Sequence, residues 1–175
     1  MTNPPSDRLI NLLGAMALGV ADRVRQAAAE ASESGGETAA ALVVIGHEPR
    51  LSIDQLRRVL RLSHAGAVRI VDRLAAQGLV DRQPSPDDRR VAALVLTEAG
   101  EAQRAHLLAL RRSTLEPLLT AIPPEDRQAF ERVAERILSS LPDSALTALS
   151  TCRFCDDQRC PDCPMDMFGS ATTTR

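Results

Sequence analysis

The chain has 175 residues, enough for one ordinary domain with a short extension, and 44% hydrophobic with 25% charged residues is a globular balance. Trp and Tyr are absent and Phe occurs 3 times, so any core is aliphatic, and the net charge of -2 excludes a wholly basic nucleic-acid coat. All 4 Cys fall between residues 152 and 163, which excludes a disulfide framework across the main fold and implies a cytoplasmic chain with one local thiol site.

The apolar run Leu9–Ala21 is too short to span a bilayer. Asp7 beside Arg8 leaves no positive region of the kind that opens a signal peptide. Leu9, Leu13, Met16, Val20, Val24 and Ala27 recur at steps of four and three. They predict an amphipathic, partner-facing helix, capped by Ser6 and running to about Ala31. Ser34-Gly35-Gly36 breaks it, and Thr38 opens a short apolar helix that must end before Pro49. Ser52 and Gln55 then form a capping box, with Leu51 and Leu56 at the staple positions and Ile53, Leu56, Val59 and Leu60 as the apolar side. After the short turn Arg61-Leu62, Ser63 caps a further helix to Gln77, and Gly78 suits its C′ position. That helix buries Ala67, Val71 and Leu74 and turns Gly66, Arg69 and Arg73 the other way. Two capped helices joined by a tight turn read as a helix-turn-helix, a pattern shared by an ordinary helical hairpin.

Leu79–Gln83 reads as a short strand, Pro84–Asp88 as turn chemistry and Arg89–Leu96 as a return strand. A hairpin directly after such a helix is a wing, and Arg89-Arg90 sits where a minor groove or phosphate is met. Thr97 caps a helix carrying Leu107, Leu108, Leu110, Leu115, Leu118 and Leu119, which Pro117 is expected to kink or interrupt. Pro124-Glu125-Asp126 starts another helix, to about Leu141, with the stripe Phe130, Val133, Ile137, Leu141. Pro142-Asp143 ends it, no internal repeat is visible, and residues 169–175 read as disordered.

The charge is unevenly placed. Residues 50–90 hold nine Arg against five Asp, a net +4, and the remainder carries -6. All 21 cations of the chain are Arg. Codon bias would give the same usage, but each is also a planar fork suited to phosphate and guanine. A basic island over the helix-turn-helix is the footprint of a DNA reader, where a merely solvated surface would have no reason to coincide with the motif.

The segment LSHAGAVRIVDRLAAQGLVDRQPSPDDRRVAALVLTEAG, residues 62–100, resembles the core of MarR-type winged-helix regulators. Three pieces carry the likeness: Ser63 with Ala67-Val68-Arg69 and Val71-Asp72-Arg73-Leu74; the exit Gly78-Leu79-Val80 with Arg82; and Asp87-Asp88-Arg89-Arg90 followed by Leu96-Thr97-Glu98 and Gly100. With the flanking helices it covers about residues 6–141. The resemblance implies a mainly α fold of order α-α-α-α-β-β-α-α. It divides the chain into a dimerisation helix (1–36), a winged helix-turn-helix (37–97), further dimerisation helices (98–142), a Cys-rich tail (143–168) and the disordered end (169–175). It also implies a homodimer on a pseudo-palindromic operator in double-stranded DNA, with half-sites about one helical turn apart, and a repressor as output.

By the same resemblance Ser63, His64, Gly66 and Arg69 meet base edges, with Arg69 bidentate to guanine. His64 has an equally plain reading as a polar first-turn residue. Arg73 touches phosphate, Arg90 is the wing arginine with Arg89 beside it, and Asp72 pairs with a neighbouring Arg. Many relatives take a small anionic effector between their two regions, but this chain has no Tyr or Trp to stack on one, and its effector is unknown. His47 and His106 have no ligand partners three or four residues away. No Ser/His/Asp or Cys/His constellation and no phosphate loop is present, so the chain does not read as an enzyme.

Cys152, Cys155, Cys160 and Cys163 form C-x2-C-x4-C-x2-C. Four thiolates suit one zinc ion, although structural zinc sites usually separate the pairs by a dozen residues or more. Iron–sulfur ligation has a different spacing. Arg153 and Arg159 beside the thiols suit a redox switch. A chance cluster in a loose tail is the fourth reading. A metal- or thiol-sensing regulator is therefore the alternative to one driven by a small molecule.

Overall fold

The computed structural model describes residues 4–31, 35–85 and 90–173. Its order is α1 (Asp7–Glu30), α2 (Gly36–His47), α3 (Ile53–Leu60), α4 (His64–Ala76), β1 (Val80–Pro84), β2 (Ala92–Leu96), α5 (Glu98–Thr120), α6 (Pro124–Ser139) and α7 (Ala145–Thr151), followed by short 3-10 turns. The mainly α winged-helix arrangement expected from the sequence is what forms.

Local chemistry sets most boundaries. Ser6, Ser52, Ser63 and Thr97 each cap the following helix, accepting from the backbone N–H three residues on. Ser52 and Gln55 complete the reciprocal capping box. Gly78 lies just past α4 at φ 69°, the left-handed region in which a side chain would be strained. Helix α2 starts at Gly36, two residues before the expected Thr38.

The core is aliphatic. Leu42, Ile45, Leu51, Leu56, Leu74 and Leu94 are its largest fully buried side chains, joined by Val43, Val44, Val59 and Val71. Helix α2 is buried continuously from Thr38 to Ile45, because α1, α3, α4, α5 and β2 all pack around it. The two strands pair antiparallel from Val80↔Leu96 to Pro84↔Ala92. Among the described residues the return strand begins at Ala92, with Arg90 and Val91 outside it. Its other edge is covered by a segment the sequence did not suggest. Arg50 N–H donates to Leu94 C=O at 2.8 Å, and Leu94 N–H to Leu51 C=O at 2.9 Å. This satisfies backbone groups that an exposed sheet edge would leave open.

Two expectations fail here for physical reasons. Helix α5 runs unbroken through Pro117. Pro117 and Ser113 are both exposed, so the carbonyl that loses its partner sits at the surface, where water can replace it. The chain end is not a loose tail either. Ser144 and Thr147 form a capping box for α7, which packs against α3. Ala145, Leu149 and Ala171 join the main core. Residues 169–173, expected to be disordered, are tied down: Gln55 donates to the Ala171 carbonyl at 2.9 Å, and Thr172 donates to Glu48 at 3.0 Å.

Candidate nucleic-acid interface

Helices α3 and α4 form the helix-turn-helix. Arg61, at φ 56°, makes the left-handed corner between them. Ala67, Ile70, Val71 and Leu74 seat α4 on the core. Ser63, His64, Arg69 and Arg73 are exposed on its other side, and Gly66 is half-buried. Ser63 and His64 stand at the start of α4, and Arg69 and Arg73 one and two turns further along it. Ser63 Oγ accepts the Gly66 N–H at 3.1 Å, so its oxygen is used as a cap and its O–H is what it offers outward. Arg69 and Arg73 also line a shallow cavity of about 330 Å³ with Gly66, Leu62 and the start of α2.

Some charges of the basic island are spent locally. Arg57 Nε lies 2.6 Å and Arg58 Nη2 2.9 Å from the Asp54 carboxylate. The Arg57 hydrogen bond holds the Asp54 carboxyl below its ordinary range. Arg82 on β1 pairs with Asp72 on α4, so the Arg expected beside Asp72 is the one on the wing strand. Both are substantially exposed, so this bridge fixes the wing's angle to α4 more than it adds stability, about 1 kcal/mol at most.

The wing hairpin starts from a close backbone approach. Thr97 donates to the Gly78 carbonyl at 2.6 Å and accepts from Gly100 N–H at 3.0 Å. A Cβ on Gly100 would stand 2.0 Å from the Leu79 carbonyl oxygen. Arg90 is exposed at the end of the hairpin. Arg89, with Pro86, Asp87 and Asp88, lies outside the described residues.

Sequence reasoning missed one interior charge. Arg104 on α5 is only 4% exposed. It forms an ion pair with Asp157 and lies 3.7 Å from Glu101. The signal was present: Arg104 shares a stripe with Gly100, Leu107 and Leu108, so a cation there had to find a partner.

Asp157 belongs to the cysteine segment. Cys152 is buried, Cys155 and Cys163 are half-buried and Cys160 is exposed. Cys155 N–H donates to the Cys152 carbonyl at 2.7 Å, closing the first C-x-x-C turn. The neighbouring Cys152 thiol, with the Arg111 and Arg153 charges, holds Cys155 down to about 6 against opposing burial, and Cys155 in turn pushes Cys152 up. Arg111 Nη2 lies 3.9 Å from Cys155 Sγ. Cys160 is pushed up, first by desolvation and then by Cys163. Cys152 and Cys163 line a cavity of about 240 Å³ with His47, Glu48 and Asp166. Among the described residues, no group of three or more His, Cys, Asp or Glu is arranged to hold a metal ion. Cys155 and Cys163 both pack against the small cluster formed by Cys152, Ala148 and Met165.

Among the described residues no helix is long and apolar enough to cross a membrane. Other faces remain open. Leu9, Leu13 and Met16 on α1 are 40–57% exposed, as are Leu119 on α5 and Val133 on α6. A cavity of about 360 Å³ opens between α1, α2, α4 and α5, lined by Leu42, Leu74 and Leu107 with Thr38, Gln77 and Gln103 as its polar groups.

Comparison with known proteins agrees with this architecture. Residues 36–91 match the family model described as MarR family. The chain is 30% identical over 103 residues to the transcriptional repressor MprA of Escherichia coli K12, covering 58% of this chain and 58% of that protein. It thus spans little more than half the length of that curated relative. RV1404 from Mycobacterium tuberculosis shares the fold at a TM-score of 0.66, with 20% identity over 79% of this chain and 95% of the other. Wild-type MarR from E. coli, in its apo form, shares it at 0.60, with 21% identity over 79% and 99%. The curated relative is named a transcriptional repressor. With its capped α3–α4 pair and its hairpin wing, the chain has the winged-helix fold of these MarR structures, and its residues 36–91 match the MarR family.

Proposed function

We propose that the chain is a sequence-specific, double-stranded-DNA-binding transcription regulator that acts in the cytoplasm as a homodimer on a pseudo-palindromic operator. The observation that carries this is the outer face of α4, where Arg69 and Arg73 stand exposed beside Ser63 and His64 on a scaffold buried behind them. Arg69, near the start of the helix, reads a guanine edge; Arg73, one turn on, and Arg90, on the wing, bind phosphate. Arg89 has the same assignment by resemblance. Repression is favoured over activation because the curated relative is named a repressor. The cavity between α1, α2, α4 and α5 is where a small-molecule effector would act on both regions at once. Enrichment of DNA from a random pool by the purified protein tests the reading.

The homodimer is supported by apolar surface that one copy leaves uncovered on α1, α5 and α6. A two-fold pairing buries the same stripe from both partners. Met16, 46% exposed in the middle of the α1 stripe, is the place to break it. Met16→Glu is expected to convert the dimer to a monomer at micromolar concentration in sedimentation velocity, with helical content unchanged. A variant that stays dimeric would place the interface elsewhere.

A further inference from the structure

The cysteine segment is not absorbed by DNA reading or dimerisation. It is built into the fold: α7 ends at Cys152 against α3, and Asp157, two residues past Cys155, is ion-paired to buried Arg104 of α5. We propose that Cys152 and Cys155 are a redox-reactive dithiol that exchanges with small-molecule disulfides, with Cys155 as the attacking sulfur, Cys152 as the resolving one and Arg111 as the residue that positions and stabilises the Cys155 thiolate.

Three features carry this. The 2.7 Å hydrogen bond from Cys155 N–H to the Cys152 carbonyl closes the turn between them, and Cys155 packs against the apolar cluster that holds Cys152. An S–S bond of about 2.05 Å would join two residues of that one turn. Arg111 reaches Cys155 Sγ from α5, so the cation comes from a rigid neighbouring helix. Finally, the two thiols differ in access: Cys155 is half-buried and reachable, whereas Cys152 is buried against Ala148 and Met165. The second pair, Cys160 and Cys163, has no such cation at hydrogen-bond distance among the described contacts.

The reaction balances without another reagent. The Cys155 thiolate attacks one sulfur of the disulfide RSSR, a protein–S–SR bond forms, and RS⁻ leaves. The Cys152 sulfur then attacks Cys155 Sγ, the intramolecular S–S bond forms, and the second RS⁻ leaves. The protons of the two cysteine thiols end on two RSH molecules. The dithiol is oxidised by two electrons and RSSR is reduced by two.

The test is to incubate the full-length, reduced protein with oxidised glutathione, alkylate the remaining thiols and map the peptides by mass spectrometry. The expected result is loss of two thiols per chain, a 152–155 disulfide and full reversal by dithiothreitol. Cys152→Ser should stop at a glutathione adduct on Cys155, and Cys155→Ser should leave residue 152 unmodified. Arg111→Met should slow the first step several-fold, while a Cys160→Ser/Cys163→Ser double variant should react as the parent does. First reaction at Cys160 or Cys163 would overturn the proposal. So would one zinc per chain in natively purified protein with all four thiols unreactive until a chelator is added. None of these readouts depends on DNA binding, so the two readings fail separately.

Discussion

Gly100→Ala is expected to destabilise the fold by about 3 kcal/mol or more, one of the largest effects available to a single methyl group here. The added Cβ would stand 2.0 Å from the Leu79 carbonyl oxygen and 3.0 Å from its carbon. Both are backbone atoms, so no side chain can rotate away. The same carbonyl accepts the Thr97 N–H at 3.1 Å, and Thr97 caps α5. Relief therefore requires moving the start of α5 away from the base of the wing. Urea unfolding of the variant measures the loss. A change below about 1 kcal/mol would show that the α5–wing junction is looser than the structure has it.

Arg69→Ala is expected to weaken binding to the selected operator about 10- to 100-fold and to relax the preference at one base in each half-site. The guanidinium stands exposed on a helix whose opposite face is fully seated in the core, so truncation removes a reader without disturbing what holds it. Arg90→Ala should behave differently. A phosphate contact carries no sequence information, so binding should fall for all sequences alike and the slope of log K against log salt should drop by about 1. Fluorescence anisotropy over a salt series separates the two. Equal behaviour of the two variants would contradict the division of labour between helix and wing.

The helix-turn-helix and wing were largely legible because local chemistry decides them. Ser52, Ser63 and Thr97 announce helix starts with their own side chains, and Gly78 announces an end through a backbone angle that other residues avoid. Contacts between segments distant in sequence were not legible. The pairing of Arg50–Ser52 with β2 uses backbone groups, which every residue has. Pro117 was overrated because its cost depends on whether the orphaned carbonyl meets water, which sequence does not state. Helix α7 was missed although Ser144 and Thr147 form a capping box of the kind recognised at Ser52 and Gln55. The docking of Ala171 depends on Gln55, 116 residues away, and no local pattern encodes that.

The four cysteines show the same limit. Their spacing left zinc, iron–sulfur and redox readings open, since spacing alone treats all four as equivalent. Burial and the nearness of Arg111 make them unequal.

The most direct test of the central claim is selection of bound DNA from a random double-stranded pool by the purified protein. The account predicts enrichment of a pseudo-palindrome whose half-sites are centred about 10 base pairs apart, each with a guanine whose selection is lost in Arg69→Ala. No enrichment over the starting pool, or an enriched site without two-fold symmetry that is indifferent to Arg69, would contradict it.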